Sequence, residues 1–238
     1  MRLVAFIAHP DYAELFFGGT VIKHARRGDD VFIVSVSPGE MGDVPGKLTP
    51  ENLAEIRTRE IREAARIEGV KEARVLNFRD TEIFNTPELR MAIAEIIREL
   101  KPDIVITHWP NDNASDLSNT GQATIDASLL AYLGQIKMKH PPHMVGKIYT
   151  FEVPSTSIGF EPDVFIDITD VIETKIEAAK CHKSMIEAFA GGSVEAWTSG
   201  VEGSNRYWGM KSRVKYAEAF KEVNVPFAGR KAIAHLPL

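Results

Sequence analysis

The sequence predicts an α/β fold, a doubly wound and mostly parallel sheet with helices on both faces. Short apolar runs at 3–8, 30–36 and 103–107 are typical of strands buried on both sides. Helical segments separate these runs, and this alternation is what parallel βαβ units require. The chain has 238 residues, enough for one large domain, and we expect a single domain over 1–238.

Start and stop signals of helices support this order of elements. The tripeptides at 49–51 and 86–88, Thr-Pro-Glu in both, combine an N-cap residue, a proline at the first helical position and an acid in the first turn. The helices that follow are expected to end at Gly69 and before Pro102. Further strands are expected at 74–76, 147–151 and 164–168, and further helices at 119–132, 169–189 and 204–223.

Composition and charge exclude several classes of protein. A net charge of −5 lacks the basic footprint of a nucleic-acid-binding protein. No apolar run approaches the roughly 20 residues of a membrane span, and the first residues do not form a signal peptide. The one cysteine, Cys181, cannot form an intramolecular disulfide and suits a reducing compartment. We therefore expect a cytoplasmic protein without nucleic-acid or membrane partners, with Cys181 and His182 as packing residues on a helix.

Polar, turn-prone loops are expected to share the carboxyl edge of the sheet, where open α/β sheets bind ligands. They span 9–19, 38–49 and 108–121. The first loop contains His9, Asp11 and Glu14. A histidine beside a carboxylate at a strand end is a candidate general base or metal ligand. The alternative is that His9 and Asp11 cap the next helix and bond each other.

The third loop adds His108, Asp112 and Asp116 to the candidates. A loop aspartate such as Asp112 often makes only turn hydrogen bonds, and His108 also suits a satisfied position at a strand end. Another histidine pair, His140 and His143, flanks two prolines, which exclude the helix that would place both on one metal. We interpret that pair as part of an exposed loop.

Several motifs resemble the PIG-L/LmbE-like family of zinc-dependent N-deacetylases, which act on N-acetylglucosamine-type sugars. The opening VAFIAHPDYAELFFGGT resembles the family's strand–HPDD–helix element, and Arg57 begins an R-x-x-E segment followed by AA and G. The tetrapeptide NFRD, ending at Asp80, and the segment KPDIVITHWPND resemble later motifs, as do YWG and YAEAF near the C-terminus. The resemblance implies a Rossmann-like, LmbE-like fold and a homo-oligomer, a trimer or hexamer.

The resemblance also assigns roles to retained residues. His9 stands at the first zinc ligand of the HPDD motif, Asp11 at the general base, and Asp116 at the orienting Asp of the H-P-D-H element. We therefore predict Asp11 and Asp116 as catalytic residues. Residues expected to contact a small sugar-like ligand are Glu14, Arg57, Asp80, Asp112, His108 and Tyr12.

The remaining motif positions depart from the family. Tyr12 stands at the second zinc ligand, Leu117 at the third, and Ala114 at the histidine that stabilises the oxyanion. A catalytic zinc site needs three protein ligands and one open position. We therefore predict that zinc hydrolysis is lost, that no cofactor is required, and that His9 remains as a residual ligand only. The protein would then bind a small sugar-like or polar ligand.

Alternatives stay open at this point. An active zinc-dependent N-deacetylase would need substitute ligands together with His9 and Asp11. These ligands could come from His108 or from the loop with His140 and His143. A metal-independent enzyme would instead use Asp11 and Asp116 as an acid/base pair, with Tyr12 as a proton donor.

Overall fold

The computed structural model of the protein describes residues 1–224. These residues contain a seven-stranded sheet, with the strand order β3-β2-β1-β4-β5-β7-β6. In chain order the strands are β1 (Arg2–Ile7), β2 (Asp30–Ser35), β3 (Glu72–Val75), β4 (Ile104–His108), β5 (Lys147–Phe151), β6 (Val164–Asp167) and β7 (Ala217–Val223). Strands β1 to β5 pair in parallel, whereas β7 is antiparallel to both β5 and β6.

Helices cover the sheet on both sides. They are α1 (Tyr12–Phe16), α2 (Gly18–Arg26), α3 (Pro50–Glu68), α4 (Pro87–Leu100), α5 (Ser115–Tyr132), α6 (Ile172–Ala179), α7 (Lys183–Ala190) and α8 (Val194–Ser212). The chain runs from β1 to β2 and β3 in one direction, and from β3 across to β4 and β5 in the other. Since such crossovers are right-handed, the two runs place their helices on opposite faces. The prediction of a doubly wound α/β fold is confirmed.

The predicted helix starts are also found in the structure. The Thr49 and Thr86 side chains accept the backbone N–H groups of Asn52 and Leu89, each at 3.3 Å. Both helices end in a left-handed residue, Gly69 after α3 and Lys101 after α4. These caps satisfy backbone groups that a helix end leaves unpaired.

The prediction of a helix over 204–223 is wrong in its second half. Helix α8 ends at Ser212, and residues 217–223 form the strand β7 between β5 and β6. Alanine, glutamate and lysine favour helices locally, but pairing on both edges overrides that weak preference. The predicted helix over 169–189 is likewise two helices, with Cys181 and His182 in the break between them.

The main core lies between the sheet and its helices. Its centre is formed by strand residues without solvent exposure, among them Phe6, Ile33 and Val105. Among the helices of residues 1–224, none has the length and hydropathy that a membrane crossing requires. The end of the predicted single domain, residues 225–238, lies outside the described part of the chain.

Candidate functional site

The candidate site lies where the strand order reverses, between β1 and β4. His9 follows β1, and Asp116 lies in the first turn of α5, after β4. Asp80 belongs to the loop that connects β3 to α4. Three separate strand-end segments therefore bring polar side chains to the edge of the sheet at which α/β proteins bind ligands.

His9, Asp80 and Asp116 form a compact group, called here the His9 cluster. The Nε2 atom of His9 lies 2.8 Å from Oδ1 of Asp80 and 3.2 Å from Oδ2 of Asp116. One ligand atom from each residue lies within 4.8 Å of the other two. Both carboxylates are buried, whereas the imidazole keeps some exposure to solvent.

Backbone N–H groups hold the two carboxylates in place. Asp80 accepts the N–H of Met41 at 3.0 Å. Asp116 accepts the N–H of Thr81 at 2.8 Å and that of Ile83 at 3.3 Å. These backbone donors fix the orientation of both carboxylates toward His9.

Thr81 adopts an unusual backbone conformation beside the cluster. Its φ angle is +69°, in the left-handed region that β-branched residues rarely occupy. Such a conformation costs on the order of 1–3 kcal/mol and is concentrated at functional sites. The N–H of this residue points at Asp116, so the strained residue is the one that orients a cluster carboxylate.

Asp11, the predicted base, is paired with Arg57. The Nη2 atom of Arg57 lies 2.5 Å from Oδ1 of Asp11, and both side chains are largely buried. The Nη1 atom of Arg57 donates to the carbonyl oxygen of Gly39 at 2.7 Å. A Cβ at Gly39 would lie 2.2 Å from that nitrogen, and its φ is +71°, so glycine is required for this approach. Arg57 thus reaches Asp11 from helix α3, and the loop after β2 holds the guanidinium through Gly39.

Aromatic rings pack beside His9 and form one wall of the site. Tyr12 lies with its ring centre 5.7 Å from that of His9 and 4.9 Å from that of His108, edge to face with the latter. His108 accepts the Ala8 N–H at Nε2, at 3.0 Å. Its hydrogen is therefore on Nδ1, which has no hydrogen-bond partner among the described residues. His108 thus supports the wall and does not reach the cluster.

The charges of the site follow from these contacts. Burial lowers the pKa of His9, but hydrogen bonds to Asp116 and Asp80 outweigh it and raise the pKa to about 9. Burial raises the pKa of Asp80, yet the contact with His9 lowers it to about 2. Burial raises the pKa of Tyr12 and lowers that of His108. At neutral pH an imidazolium therefore lies between two carboxylates, beside a neutral phenol.

The zinc ligands that the family resemblance implies are not available at two positions. Leu117 is 1 % exposed and packs in the main core, so it offers no donor. Tyr12 would ligate only as a phenolate, which burial disfavours. The position of the oxyanion histidine is occupied by Ala114, next to the core.

The His9 cluster is a different set of donors that the sequence reasoning did not assemble. One imidazole nitrogen and two carboxylate oxygens are ligand types that divalent cations such as zinc accept. Two ligands of a tetrahedral zinc lie about 3.3 Å apart, given metal–ligand distances of about 2.0 Å. The separation of His9 from Asp116 fits at 3.2 Å, but that from Asp80, at 2.8 Å, is a hydrogen-bond distance. His9 therefore has two carboxylates as companions, while its role as a residual ligand only and the absence of a cofactor stay predictions.

Two other predicted contact residues lie away from the cluster. Glu14 is fully buried, and its Oε2 lies 3.0 Å from Nε2 of His182, so no ligand reaches it. Asp112 accepts the hydroxyl groups of Ser157 and Thr156, at 2.7 and 3.1 Å, and joins the two loops at that end of the sheet. Asp112 lies in its predicted loop, whereas Glu14 lies in helix α1, within the segment 9–19 that was predicted as a loop. Both side chains bond within the protein.

The histidines considered as substitute ligands are not brought to His9. The Nδ1 atom of His140 lies 2.6 Å from Oε1 of Glu95, and the Nε2 atom of His143 lies 2.8 Å from the carbonyl oxygen of Pro102. Pro102 precedes β4, so this pair is at the amino edge of the sheet, opposite the site. That choice of substitute ligands is wrong because the loop after α5 returns to the other end of the sheet.

A surface cavity of about 370 Å³ lies between the loop after β2, the start of α3 and the loop after β3. Its lining includes Glu40, Met41 and Arg79. Met41 donates its backbone N–H to Asp80, and Glu40 accepts the N–H of Asp80 at 3.0 Å. The cavity thus borders the segments that hold one of the cluster carboxylates.

Similarity to known proteins agrees with this architecture. The chain is 31 % identical to the diacetylchitobiose deacetylase of Thermococcus kodakarensis, over 99 % of this chain and 88 % of that protein. It is 30 % identical to a probable N-acetyl-alpha-D-glucosaminyl L-malate deacetylase 2 of Bacillus anthracis, over 74 % of this chain and 77 % of that protein.

Solved structures give the same result for the fold. The N,N'-diacetylchitobiose deacetylase from Pyrococcus horikoshii superposes with a TM-score of 0.83 at 28 % identity, over 95 % of this chain and 87 % of that chain. The 4-carboxy-2-hydroxymuconate hydratase GalB from Pseudomonas putida gives a TM-score of 0.81 over 100 % of both chains, but at 20 % identity it shows the fold alone. The profile of the PIG-L family, described as GlcNAc-PI de-N-acetylase, matches residues 4–128, more than half of the chain. The protein therefore belongs to the PIG-L family.

Proposed function

We propose that this PIG-L protein binds a small amino-sugar-like ligand at the His9 cluster and has lost the zinc-dependent hydrolysis of its relatives. The observation that carries the proposal is the position of the His9 Nε2 atom, at hydrogen-bond distances from Asp80 and Asp116. That arrangement is an ion-pair cluster complete without a metal. Tyr12 and Leu117 at the implied zinc ligands support the same reading.

The chemistry of the cluster suits a polyhydroxylated ligand. Carboxylates accept hydrogen bonds from sugar hydroxyl groups, and the partly exposed imidazole of His9 supplies a donor. Backbone N–H groups already orient both cluster carboxylates, so little order is lost when a ligand binds. The chain's similarity to deacetylases of N-acetylated sugars supports an amino sugar as the ligand class.

A second candidate, a metal-dependent N-deacetylase, is favoured by one observation. His9, Asp80 and Asp116 offer three ligand atoms within 4.8 Å of one another. A divalent cation bound there would lower the pKa of its water and make it a nucleophile at neutral pH. In that case Asp11, held by Arg57, would accept a proton beside the cluster. The metal-independent pair of Asp11 and Asp116 has less support, because each carboxylate already has charged or backbone partners.

Metal analysis combined with ligand titration separates the two candidates. Protein purified without chelators and then incubated with zinc is analysed for bound metal, and N-acetylglucosamine and diacetylchitobiose are tested for binding and for release of acetate. We expect well under one zinc per chain, no acetate, and binding that Asp80→Asn weakens by about tenfold or more. Asp103→Asn is the matched control, since Asp103 accepts the Arg2 N–H at the opposite edge of the sheet.

Each result has a distinct meaning. One tightly held zinc per chain that Asp80→Asn removes, with acetate released, would replace the proposal by the second candidate. Failure of both sugars to bind would refute the proposed function. Assembly into a homotrimer or homohexamer stays a prediction, which light scattering tests. Location in the cytoplasm also stays a prediction.

A further inference from the structure

The charged groups described for the candidate site do not balance one another. Three carboxylates lie there, those of Asp11, Asp80 and Asp116. Two cationic groups accompany them, those of His9 and Arg57. The carboxylates therefore outnumber the cations by one, and they would do so by two if the imidazole were neutral. Because the site is largely buried, water screens this excess negative charge only in part, and a ligand with a positive charge is favoured.

Asp11 is the carboxylate of the site that has the fewest partners within the protein. It lies at the N-cap position of α1, where an aspartate usually accepts a backbone N–H, but its side chain makes no capping hydrogen bond. Arg57 binds its Oδ1 atom, and Oδ2 has no hydrogen-bond partner within residues 1–224. The Asp11 side chain keeps 11 % of its surface exposed. One carboxylate oxygen therefore stays free for a donor on a ligand.

The hydrogen-bond donors around these carboxylates are mostly committed to the protein. Arg57 is 2 % exposed and donates to Asp11 and to the carbonyl oxygen of Gly39. The backbone N–H groups of Met41 and Thr81 donate to the cluster carboxylates. An N-acetyl group brings a carbonyl oxygen that needs a donor, whereas an ammonium brings three N–H donors and no acceptor. The site therefore fits an ammonium better than an amide.

Acidic side chains also predominate in the lining of the 370 Å³ cavity between the loops after β2 and β3. The lining contains Glu40 and Glu51, and its one basic residue, Arg79, pairs with Glu82 at 3.1 Å. Glu40 accepts the N–H of Asp80, so this carboxylate lies next to the His9 cluster. The excess of negative charge thus extends from the cluster to the surface beside it.

We propose that the site selects an amino sugar whose amine is free and protonated over one whose amine is acetylated. This inference rests on the proposed function, because it places the ligand at the His9 cluster and names its chemical class. The ammonium would contact Asp11 and the cluster carboxylates, and the sugar hydroxyl groups would use the remaining acceptors. Acetylation removes the positive charge of the ligand and two of its N–H donors, so it weakens binding.

The probes are glucosamine, N-acetylglucosamine and glucose, titrated by calorimetry at low salt. At about pH 6 an amine with a pKa of roughly 8 is protonated. We expect glucosamine to bind at least about tenfold more tightly than either neutral sugar. Sodium chloride at about 0.5 M should remove most of this preference, because salt screens charges that reach solvent. Competition between glucosamine and N-acetylglucosamine should show that they share one site.

Two isosteric variants test the carboxylates, since Asp11→Asn and Glu40→Gln each remove one negative charge. Both should lower the ratio of the glucosamine affinity to the N-acetylglucosamine affinity by about threefold or more. Asp11→Asn leaves Arg57 without its anionic partner and can fail to fold, whereas Glu40→Gln keeps an acceptor for the Asp80 N–H. Asp103→Asn, at the opposite edge of the sheet, is the control and should keep the ratio.

The outcomes separate this inference from the proposed function. Binding of N-acetylglucosamine that is as tight as that of glucosamine would overturn the inference alone. So would a preference for glucosamine that persists unchanged in the folded variants, because the amine would then be recognised elsewhere. If none of the three sugars binds, the proposed function fails, and the inference fails with it.

Discussion

This protein contains two clusters of charged side chains that helix α1 connects, and the charged groups in them are stabilised in different ways. The His9 cluster opens to solvent at the edge of the sheet. The second cluster, the core charge network, consists of Glu14, Glu68, Lys175, His182 and Glu218, and all of these side chains are buried. Helix α1 joins the two, since it carries Tyr12 into the site and Glu14 into the network.

In the His9 cluster every charged group lies beside an opposite charge, and both carboxylates also accept backbone N–H groups. In the core charge network the Nζ atom of Lys175 lies 2.7 Å from Oε1 of Glu218. The Gly19 N–H donates to the same oxygen, and the Thr20 N–H donates to Oε2 of Glu218. Glu68 differs, because neither of its carboxyl oxygens has a hydrogen-bond partner within residues 1–224. Burial and the neighbouring carboxylates of Glu14 and Glu218 raise the pKa of Glu68 well above 4.5.

The comparison teaches that partners, more than burial itself, set the charge of a carboxyl group here. Asp80 is buried but remains ionised, since His9 and a backbone N–H stabilise the anion. Glu68 is buried without such partners and is held as a neutral acid. A site that must bind a polar ligand needs the first arrangement, whereas a closed core tolerates the second.

Removal of the Lys175 ammonium is expected to have the largest effect. Lys175→Met leaves Glu218 charged and buried without its cation, which costs about 3–5 kcal/mol of unfolding free energy. Urea denaturation measures the loss. The control is Lys180→Met at the end of the same helix, because Lys180 forms an exposed pair with Glu177 and its loss costs at most about 1 kcal/mol.

The double variant sharpens this test. Lys175→Met combined with Glu218→Gln removes both charges and should recover part of the lost stability. A cost below about 1 kcal/mol for Lys175→Met alone would mean that Glu218 is not an anion. The distinction between the two kinds of carboxyl group would then be lost.

Glu68→Gln is expected to change the pH dependence of stability by a smaller amount. The folded protein keeps the proton of Glu68 above pH 4.5, while the unfolded chain releases it, so the wild type loses stability as pH rises until the folded pKa is reached. Glutamine does not titrate, so the stability of the variant lacks this dependence on pH. The free energy of unfolding of the variant, relative to the wild type, should therefore rise by up to about 1.4 kcal/mol for each pH unit above 4.5.

Urea denaturation between pH 5 and pH 8 measures this difference. Glu63→Gln is the control, since Glu63 is exposed on the same helix and should produce no such trend. A stability difference between Glu68→Gln and the wild type that stays constant with pH would show that Glu68 is ionised in the fold.

The sequence predicts those helices and strands well that local signals define. The caps at Thr49 and Thr86 and the apolar strands at 3–8 and 103–107 are local signals, and the structure contains them. The strand β7 is different, because its pairing with β5 and β6 depends on residues far along the chain. A local composition that favours helix cannot reveal it.

The candidate site was predictable in its residues but not in its geometry. His9, Asp80 and Asp116 are all recognisable as loop residues after strands. Their convergence depends on the backbone N–H of Thr81, which is directed by a left-handed φ that a threonine rarely adopts. Similarly, the contact of Glu14 with His182 joins positions 168 residues apart, and no motif spacing indicates it.

The smallest expected effect concerns Thr81 itself. Thr81→Gly removes the cost of a left-handed β-branched residue, about 1–3 kcal/mol, but glycine adds about 0.5–1 kcal/mol of lost backbone freedom on folding. We expect a net stabilisation of about 1 kcal/mol in urea denaturation. Thr49→Gly, at a φ of −75°, is the control and should destabilise the protein slightly.

The same variant tests whether the strain at Thr81 serves the site. Asp116 should keep its hydrogen bond, because glycine retains the N–H and populates positive φ readily. The His9 imidazole should then titrate near its raised pKa of about 9 in both proteins, as NMR can follow. A pKa that falls in Thr81→Gly, together with increased stability, would indicate that the strained threonine holds Asp116 against His9 more firmly than a glycine can. The backbone strain would then be part of the polar site and not an accident of the loop.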